Sequence, residues 1–350
     1  MKSPTAAAPG FLQSLLVQIK KNLVAWIVMA ISLALAVFIA VTSGPAQLVN
    51  TVITGGMWAL LAVGLALVFG VMNIPHFAHG ESFMVGSYVA YYVFTLLSNY
   101  LSQHPNAFLS AVAPFAGMLA AALVGAVLGA IIERLIFTPL RRRTKSGWVM
   151  NAFLLTVGLS FILTNGTTLV LGPNFRGITR YWDVPPLQFL GITIAIDRLI
   201  AFVMAMATIG LLWFFLRRTR TGRAIRAVSQ DERGAQLVGI DLGFIYTLTF
   251  ALATATAALA GAALLFMFQA YPTVGLKPLY FAWYVVMMVG LGNVAGAIFG
   301  GFIVALFQTA TQQYVGIAWE DVIPTVLMIL VLLVAPSGIF GSEVKGVQEQ

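Results

Sequence analysis

Apolar residues fill most of this chain in repeated blocks of about 20, the length a helix needs to cross a hydrocarbon layer of roughly 30 Å at 1.5 Å per residue. The pattern predicts membrane spans over 23–41, 48–70, 83–101, 110–137, 150–171, 194–216, 245–270, 281–313 and 320–336. Ten-residue stretches alternating apolar and polar are missing, so the expectation is an all-α polytopic transmembrane helix bundle of about 8–10 spans rather than a barrel. The first run, Leu23 to Val41, is too long for a signal peptide core and has no clear small-residue cleavage site. It reads as a retained span.

Two stretches break the apolar pattern, one in each half: "NIPHFAHGE" (73–81) and "GLGNVAG" (290–296). Each precedes a helix rich in small residues, with Gly86-Ser87 in the first and Gly300-Gly301 in the second. Irregular backbone within a bilayer must be buried in protein or line a wet cavity, because lipid offers its N–H and C=O groups no partner. Matching interruptions in two halves point to an inverted repeat with broken helices and a pathway between the repeats. The run 281–313 exceeds one simple span. It is either one long broken helix, which puts the C-terminus outside, or a short limb that enters and turns back, which puts it inside.

Composition agrees with the pattern: 60% of the 350 residues are hydrophobic, 9% are charged, and the mean hydropathy is +0.95. No water-facing surface tolerates that balance. The formal charge of +8 would suggest nucleic acid in a soluble chain, but here the basic residues abut apolar runs. Lys20-Lys21, Arg141 to Arg143 with Lys145, and Arg217-Arg218 with Arg220, Arg223 and Arg226 mark cytoplasmic loops. No nucleic-acid partner is expected. This orientation sends loop 172–193 outside, where Tyr181 and Trp182 suit an interfacial belt. Cysteine is absent, so disulfides and thiolate metal sites are excluded.

The residues at 73–81 admit three readings. His76, His79 and Glu81 could form a His/His/carboxylate metal set, although no H-E-x-x-H occurs and Pro75 opposes a regular helix. Asn73, His79 or Glu81 could cap the helix that follows, with Glu81 suited to its positive end. Alternatively the helix start points into a central conduit that the side chains polarise, since ionisable groups inside a membrane default to function. Candidate pathway residues are therefore Asn73, His76, His79, Gly80, Glu81 and Gly86, with Gly290, Gly292, Asn293 and Gly296 from the second break.

The stretch "RRTRTGRAIRAVSQDERGAQLVGIDLG" (217–243) is too charged and too short to span. It predicts one or two short amphipathic helices under the membrane. Its mixed charges and small residues suit docking of a cytoplasmic partner through Arg223, Arg226, Asp231, Glu232, Ala235 and Gly239. Catalysis finds no motif: there is no G-x-S-x-G elbow, no P-loop and no dinucleotide fingerprint. The chain is expected to be no enzyme, to hold no metal or cofactor, and to leave any ATP and Mg to partner chains.

Four linked motifs identify a family. "NTVITGGMWALLAVGLALVFGVMNIPHFAHGESFMVGSY", "IIERLIFTPLRRR", "RTRTGRAIRAVSQDERGAQLVGID" and "GLGNVAGAIFGGFIVALFQ" with "LVAPSGIFG" resemble, in order, segments of branched-chain amino-acid ABC importer permeases of the LivH type. The likeness covers about residues 48–341. Departures are Pro75-His76, Phe137-Thr138 and Ala335. The resemblance implies a bacterial inner-membrane permease that works with a second permease subunit, identical or homologous, two cytoplasmic ATPases and a soluble binding protein. Relatives of this kind also carry urea, amides or aromatic acids. The apolar pattern and the charge clusters together predict one permease unit over 23–341 with a cytoplasmic coupling loop at 217–244, a cytoplasmic segment 1–22 and a tail 342–350. A self-sufficient secondary transporter or channel, or a metal-dependent membrane hydrolase, would use the same residues without needing the 217–243 loop.

Overall fold

A computed structural model describes residues 23–340, apart from 145–146 and 190–191; the expected N-terminal segment and C-terminal tail lie outside the described residues. The helices are α1 (Leu23–Thr42), α2 (Pro45–Met72), α3 (His79–Gln103), α4 (Ala107–Ile132), α5 (Thr138–Arg143), α6 (Trp148–Leu171), α7 (Ile196–Arg218), α8 (Arg220–Gln230), α9 (Glu232–Leu237), α10 (Leu242–Ala263), α11 (Leu276–Val289), α12 (Val294–Tyr314) and α13 (Val322–Val334). A π-helical turn, Glu133–Phe137, joins α4 to α5, and a 3-10 turn, Ile317–Trp319, precedes α13. Eight stretches are long and apolar enough to cross a membrane. Helices α3 and α11 are embedded beside them.

The bundle is organised around α2, buried along nearly its whole length. Its antiparallel neighbour is α12: Thr51 Oγ1 donates to Thr309 Oγ1 at 3.1 Å, Trp58 Nε1 to Gln308 Oε1 at 2.8 Å, Gly301 lies on Ala59, and Gly292 lies on Gly70. The pair α10 and α4 repeats that relation, with Gly125 on Ala258, Gly129 on Thr254, and Thr247 Oγ1 donating to Glu133 at 2.7 Å. So α2–α3–α4–α6 and α10–α11–α12–α13 are two units of inverted direction. Glycine permits the close approaches, because van der Waals packing between backbones, not hydrophobicity, holds helices together in lipid.

The arginine clusters within the described residues fall at one end, in the last turns of α5 and α7 and on α8, which is the cytoplasmic end by the positive-inside rule. The 281–313 run resolves into the short limb. Helix α11 has 14 residues, roughly 21 Å at 1.5 Å per residue, and α12 turns back from it. Residues 338–340 return to the same end, where the Ile339 and Phe340 amides bond to the Met288 and Val289 carbonyls at 2.8 and 3.0 Å. The chain therefore leaves α13 on the cytoplasmic side.

Two boundaries differ from the hydropathy reading. The expected helix 245–270 ends at Ala263, and 264–275 is irregular. The outer loop carries a small hairpin, Leu187–Phe189 against Ile192–Ile194. Tyr181 and Trp182 are structural ties more than a lipid belt: Tyr181 is buried with its hydroxyl donating to the Ala262 carbonyl at 2.6 Å, and Trp182 Nε1 donates to the Ala111 carbonyl at 3.0 Å. Burial pushes the Tyr181 phenol pKa up, keeping it a donor.

Candidate functional site

The first break follows the left-handed turn at Asn73 (φ +52°), which ends α2; asparagine tolerates that conformation better than most side chains. The backbone then climbs back into the bundle. His79, the first residue of α3, reaches the Leu61 carbonyl with Nε2 at 3.2 Å, and Leu61 lies eleven positions before Met72, roughly 16 Å along the helix axis. Helix α3 thus begins well inside the bundle. Beside it begins α11: Gly80 and Gly275 touch backbone to backbone, and a Cβ on either would collide with the other's carbonyl. Two half-helix starts of opposite direction, each the positive end of a dipole, meet inside the protein.

This meeting corrects the pairing expected from the sequence. The inverted counterpart of 73–78 is 264–275, "LLFMFQAYPTVG", not 290–296. Residues 290–293 form the cytoplasmic turn between α11 and α12, whose counterpart is the outer turn 104–106 between α3 and α4. The two turns share one device: Asn106 Oδ1 accepts from the Leu109 amide at 3.0 Å and Asn293 Oδ1 from the Gly296 amide at 2.8 Å, each capping the helix that follows. Gly290 and Gly292 have φ of +109° and +79°. Gly290 packs against Gly338, and Gly292 against Gly70.

The side chains of 73–81 diverge. His79 turns to α2, while Glu81 turns to α6 and accepts from Ser160 Oγ at 2.5 Å. His76 is buried against Phe250, ring centroids 4.7 Å apart, and lies 5.7 Å from His79. The His/His/Glu trio therefore does not converge, and among the described residues no group of three potential metal ligands does. Nor do Asn73, His79 or Glu81 cap α3 by a side-chain bond; its N-cap position is Ala78. Gly86 lets α3 cross α10 directly over Ala258.

On the cytoplasmic side of this junction aromatic rings fill the space. Phe250 packs at a tilt against Phe137 with ring centroids 5.2 Å apart, Phe77 meets Phe153 edge-on at 5.2 Å, and Trp283 is tilted against Phe77 at 5.0 Å and edge-on to Phe69 at 5.3 Å. On the outer side the equivalent space is open. A cavity of about 360 Å³ lies between α2, α7, α12 and the 264–277 segment, and carries Asn50, Thr54, Arg198, Lys277, Gln308 and Glu320. Sequence reasoning left Arg198, Lys277 and Glu320 outside the candidate set, yet Lys277 was visible as a lone charge and Glu320-Asp321 as an acidic pair at the edges of apolar runs.

Beneath the bundle, α8 lays Gly222, Ile225 and Val228 against it and exposes Arg223 and Arg226. Thr219 and Asp231 cap α8 and α9 by accepting from the Gly222 and Gly234 amides at 2.9 and 3.0 Å, so the expected helix divides at Asp231. Ala235 is buried, Glu232 is exposed, and Gly239 turns the chain with φ +84°. Leu237 and Val238 are 88% and 77% exposed. Arg141 links this layer to the bundle, 3.4 Å from the fully buried Glu133 and 3.8 Å over the Tyr246 ring.

The family described as "Branched-chain amino acid transport system / permease component" matches residues 47–332. The high-affinity branched-chain amino acid transport system permease protein LivH of Salmonella typhimurium is 30% identical over 300 residues, covering 84% of this chain and 94% of that protein. BraD of Pseudomonas aeruginosa, of the same description, is 31% identical over 304 residues, covering 84% and 95%. A probable branched-chain amino acid transport permease protein, LivH, of Methanocaldococcus jannaschii is 29% identical over 309 residues, covering 85% and 92%. No solved structure matches the chain.

Proposed function

The chain belongs to the family of permease components of branched-chain amino acid transport systems, and on that premise we propose how it works. It is the membrane-spanning subunit of an ABC importer for branched-chain amino acids, seated in the inner membrane. Its partners are a second permease subunit, two cytoplasmic ATPases that hold ATP and Mg, and a soluble binding protein that delivers cargo to the outer loops. Solute enters the outer cavity and passes the junction of α3 and α11, with His76, His79 and Glu81 polarising the wall that the aromatic rings close from below. Asn73, Gly80 and Gly86 set the backbone of that wall. Gly290, Gly292, Asn293 and Gly296 act one level lower, as the cytoplasmic turn that α8 faces across a cleft.

The observation that carries this reading is the placement of α8 and α9. Ile225 and Val228 are buried against the bundle while Arg223 and Leu237 are exposed, and Glu232, also exposed, borders a cleft with Arg141 and Tyr246, the disposition of a lever between a partner below and the helices above. A cleft of about 420 Å³ separates α8 from Gly70, Gly292 and Val294, leaving room for the lever to move. Force applied to α8 reaches the cytoplasmic ends of α2, α7 and α10 and can open the ring of aromatics, provided ATP binding fits one arrangement better than the other.

The test is reconstitution of the chain with its ATPases and binding protein. Leucine uptake should require ATP, and uptake by the chain alone would overturn the assignment. Glu232→Lys should lower ATP-driven uptake on the order of tenfold or more, the size of a lost coupling energy, without reducing the amount of permease in the membrane. Normal uptake by this variant, with the ATPase still co-purifying, would remove Glu232 from the docking surface.

A further inference from the structure

Lys277 stands where helix electrostatics disfavours it, in the first turn of α11 beside the positive end of the dipole. Its ammonium pairs with Glu320, which is only 7% exposed. Glu320 is itself held in place: Gln308 Nε2 donates to it at 3.1 Å, Gln312 Nε2 donates to the same oxygen, and Trp58 Nε1 orients Gln308 by donating to its Oε1 at 2.8 Å. Across the cavity Arg198 has only a 3.4 Å contact with Asn50 Oδ1 and forms no ion pair among the described residues. The cavity thus presents one anchored carboxylate, one ammonium and one uncommitted guanidinium. Its remaining wall includes Met57, Leu264, Met267 and Ile317. A volume of about 360 Å³ lies within the range of small-ligand sites.

We propose that this outer cavity is a binding site for the zwitterion of an apolar α-amino acid, in which Glu320 takes the α-ammonium, Lys277 and Arg198 take the carboxylate, and the apolar wall takes the side chain. The empty site closes on itself through the Lys277–Glu320 pair, and the solute replaces that pair with two of opposite polarity, so neither charge is left unpaired when cargo enters or leaves. Gln308 and Gln312 hold Glu320 through the exchange. A site with paired opposite charges rejects a solute that supplies only one, because a buried charge would then lose its partner. Carboxylic acids that lack an ammonium are excluded on that ground, and urea and amides, which carry neither charge, cannot replace the Lys277–Glu320 pair. The proposal rests on the importer reading and assigns its cargo a binding site with named residues.

The absence of cysteine provides the test. Thr54→Cys places a single thiol on the cavity wall, and its reaction with a charged methanethiosulfonate reagent is followed in the assembled importer, without binding protein or ATP. Millimolar leucine should slow labelling at least fivefold, while 4-methylpentanoate, isopentylamine and urea should leave it within twofold. The double variant Lys277→Met with Glu320→Gln, which leaves neither charge alone, should still label but lose the leucine effect. Equal protection by 4-methylpentanoate or urea, leucine protection that survives the double variant, no leucine protection at all, or a thiol that never reacts would each overturn the site. ATP-driven leucine uptake by the unmodified complex, measured in parallel, separates the two failures: uptake without protection sinks this site alone, and no uptake sinks the importer reading.

Discussion

The two broken-helix junctions share a topology and differ in what surrounds them. At the first, residues 73–81 are sealed: Ile74, His76, Ala78, His79 and Glu81 are buried, and Phe77, Phe137, Phe153 and Phe250 fill the cytoplasmic side. At the second, residues 264–277 border an open, charged cavity on the outer side. An inverted repeat generates both from one plan, yet one holds rings and the other holds Arg198, Lys277 and Glu320. The difference teaches that the molecule is open outward and shut inward, and that the asymmetry resides in side chains and not in the course of the backbone. Alternating access then requires two changes at once, parting the inner rings and closing the outer walls.

The largest expected effect comes from opening the sealed side. Phe250 is fully buried against Phe137 and His76, so Phe250→Ala should cost about 3–5 kcal/mol, as for other buried phenylalanines. If the ring is a gate as well as a filler, proteoliposomes of the assembled importer will leak leucine without ATP. A destabilised but tight variant would make the ring structural only. Next comes the point where the junctions meet. Gly275→Val drives a side chain into the Gly80 carbonyl and should cost roughly 1–3 kcal/mol by overpacking, read as a lower unfolding temperature in detergent. An unchanged temperature would mean the half-helices do not touch. The smallest effect compares the two inverted turns. Asn106→Ala and Asn293→Ala each remove a cap worth about 1 kcal/mol, and Asn293→Ala should cost more, because Asn293 Nδ2 also donates to the Phe340 carbonyl at 2.9 Å. Equal costs would show that the C-terminal tie adds nothing.

The first break was legible because Asn73, Pro75, His76 and Glu81 are conspicuous in an apolar chain. Its counterpart was not. "LLFMFQA" continues the hydropathy of α10 without a dip, and only Pro272 and Gly275 hint that helix has stopped. The backbone there can leave the helix because its polar groups find distant partners: Ala270 exchanges both bonds with Arg176 at 2.7 and 2.9 Å. A strand-like bridge to a residue ninety-four positions away has no local signature. The glycines at 290 and 292 misled for the opposite reason, since a tight turn between two helices uses the same residues as a break within one. The division of the coupling segment at Asp231 was half visible, because an aspartate followed three residues later by a glycine amide is a capping geometry that composition alone does not register.

The sequence by itself determined the solvent and, as far as residue 281, the direction of threading. Hydrocarbon tolerates only helices with satisfied backbone, and arginine clusters choose the cytoplasmic side, so class and sidedness up to that point follow from the order of residue types. It also marked the segment beneath the membrane, because amphipathic helices carry their periodicity locally. Only the tertiary structure decided which breaks face each other and which lone charges share a cavity. Those depend on contacts between Gly80 and Gly275 and between Lys277 and Glu320, positions far apart along the chain. Close approach of backbones and pairing of charges act through space at a few ångströms, and nothing in the spacing along the chain encodes that distance.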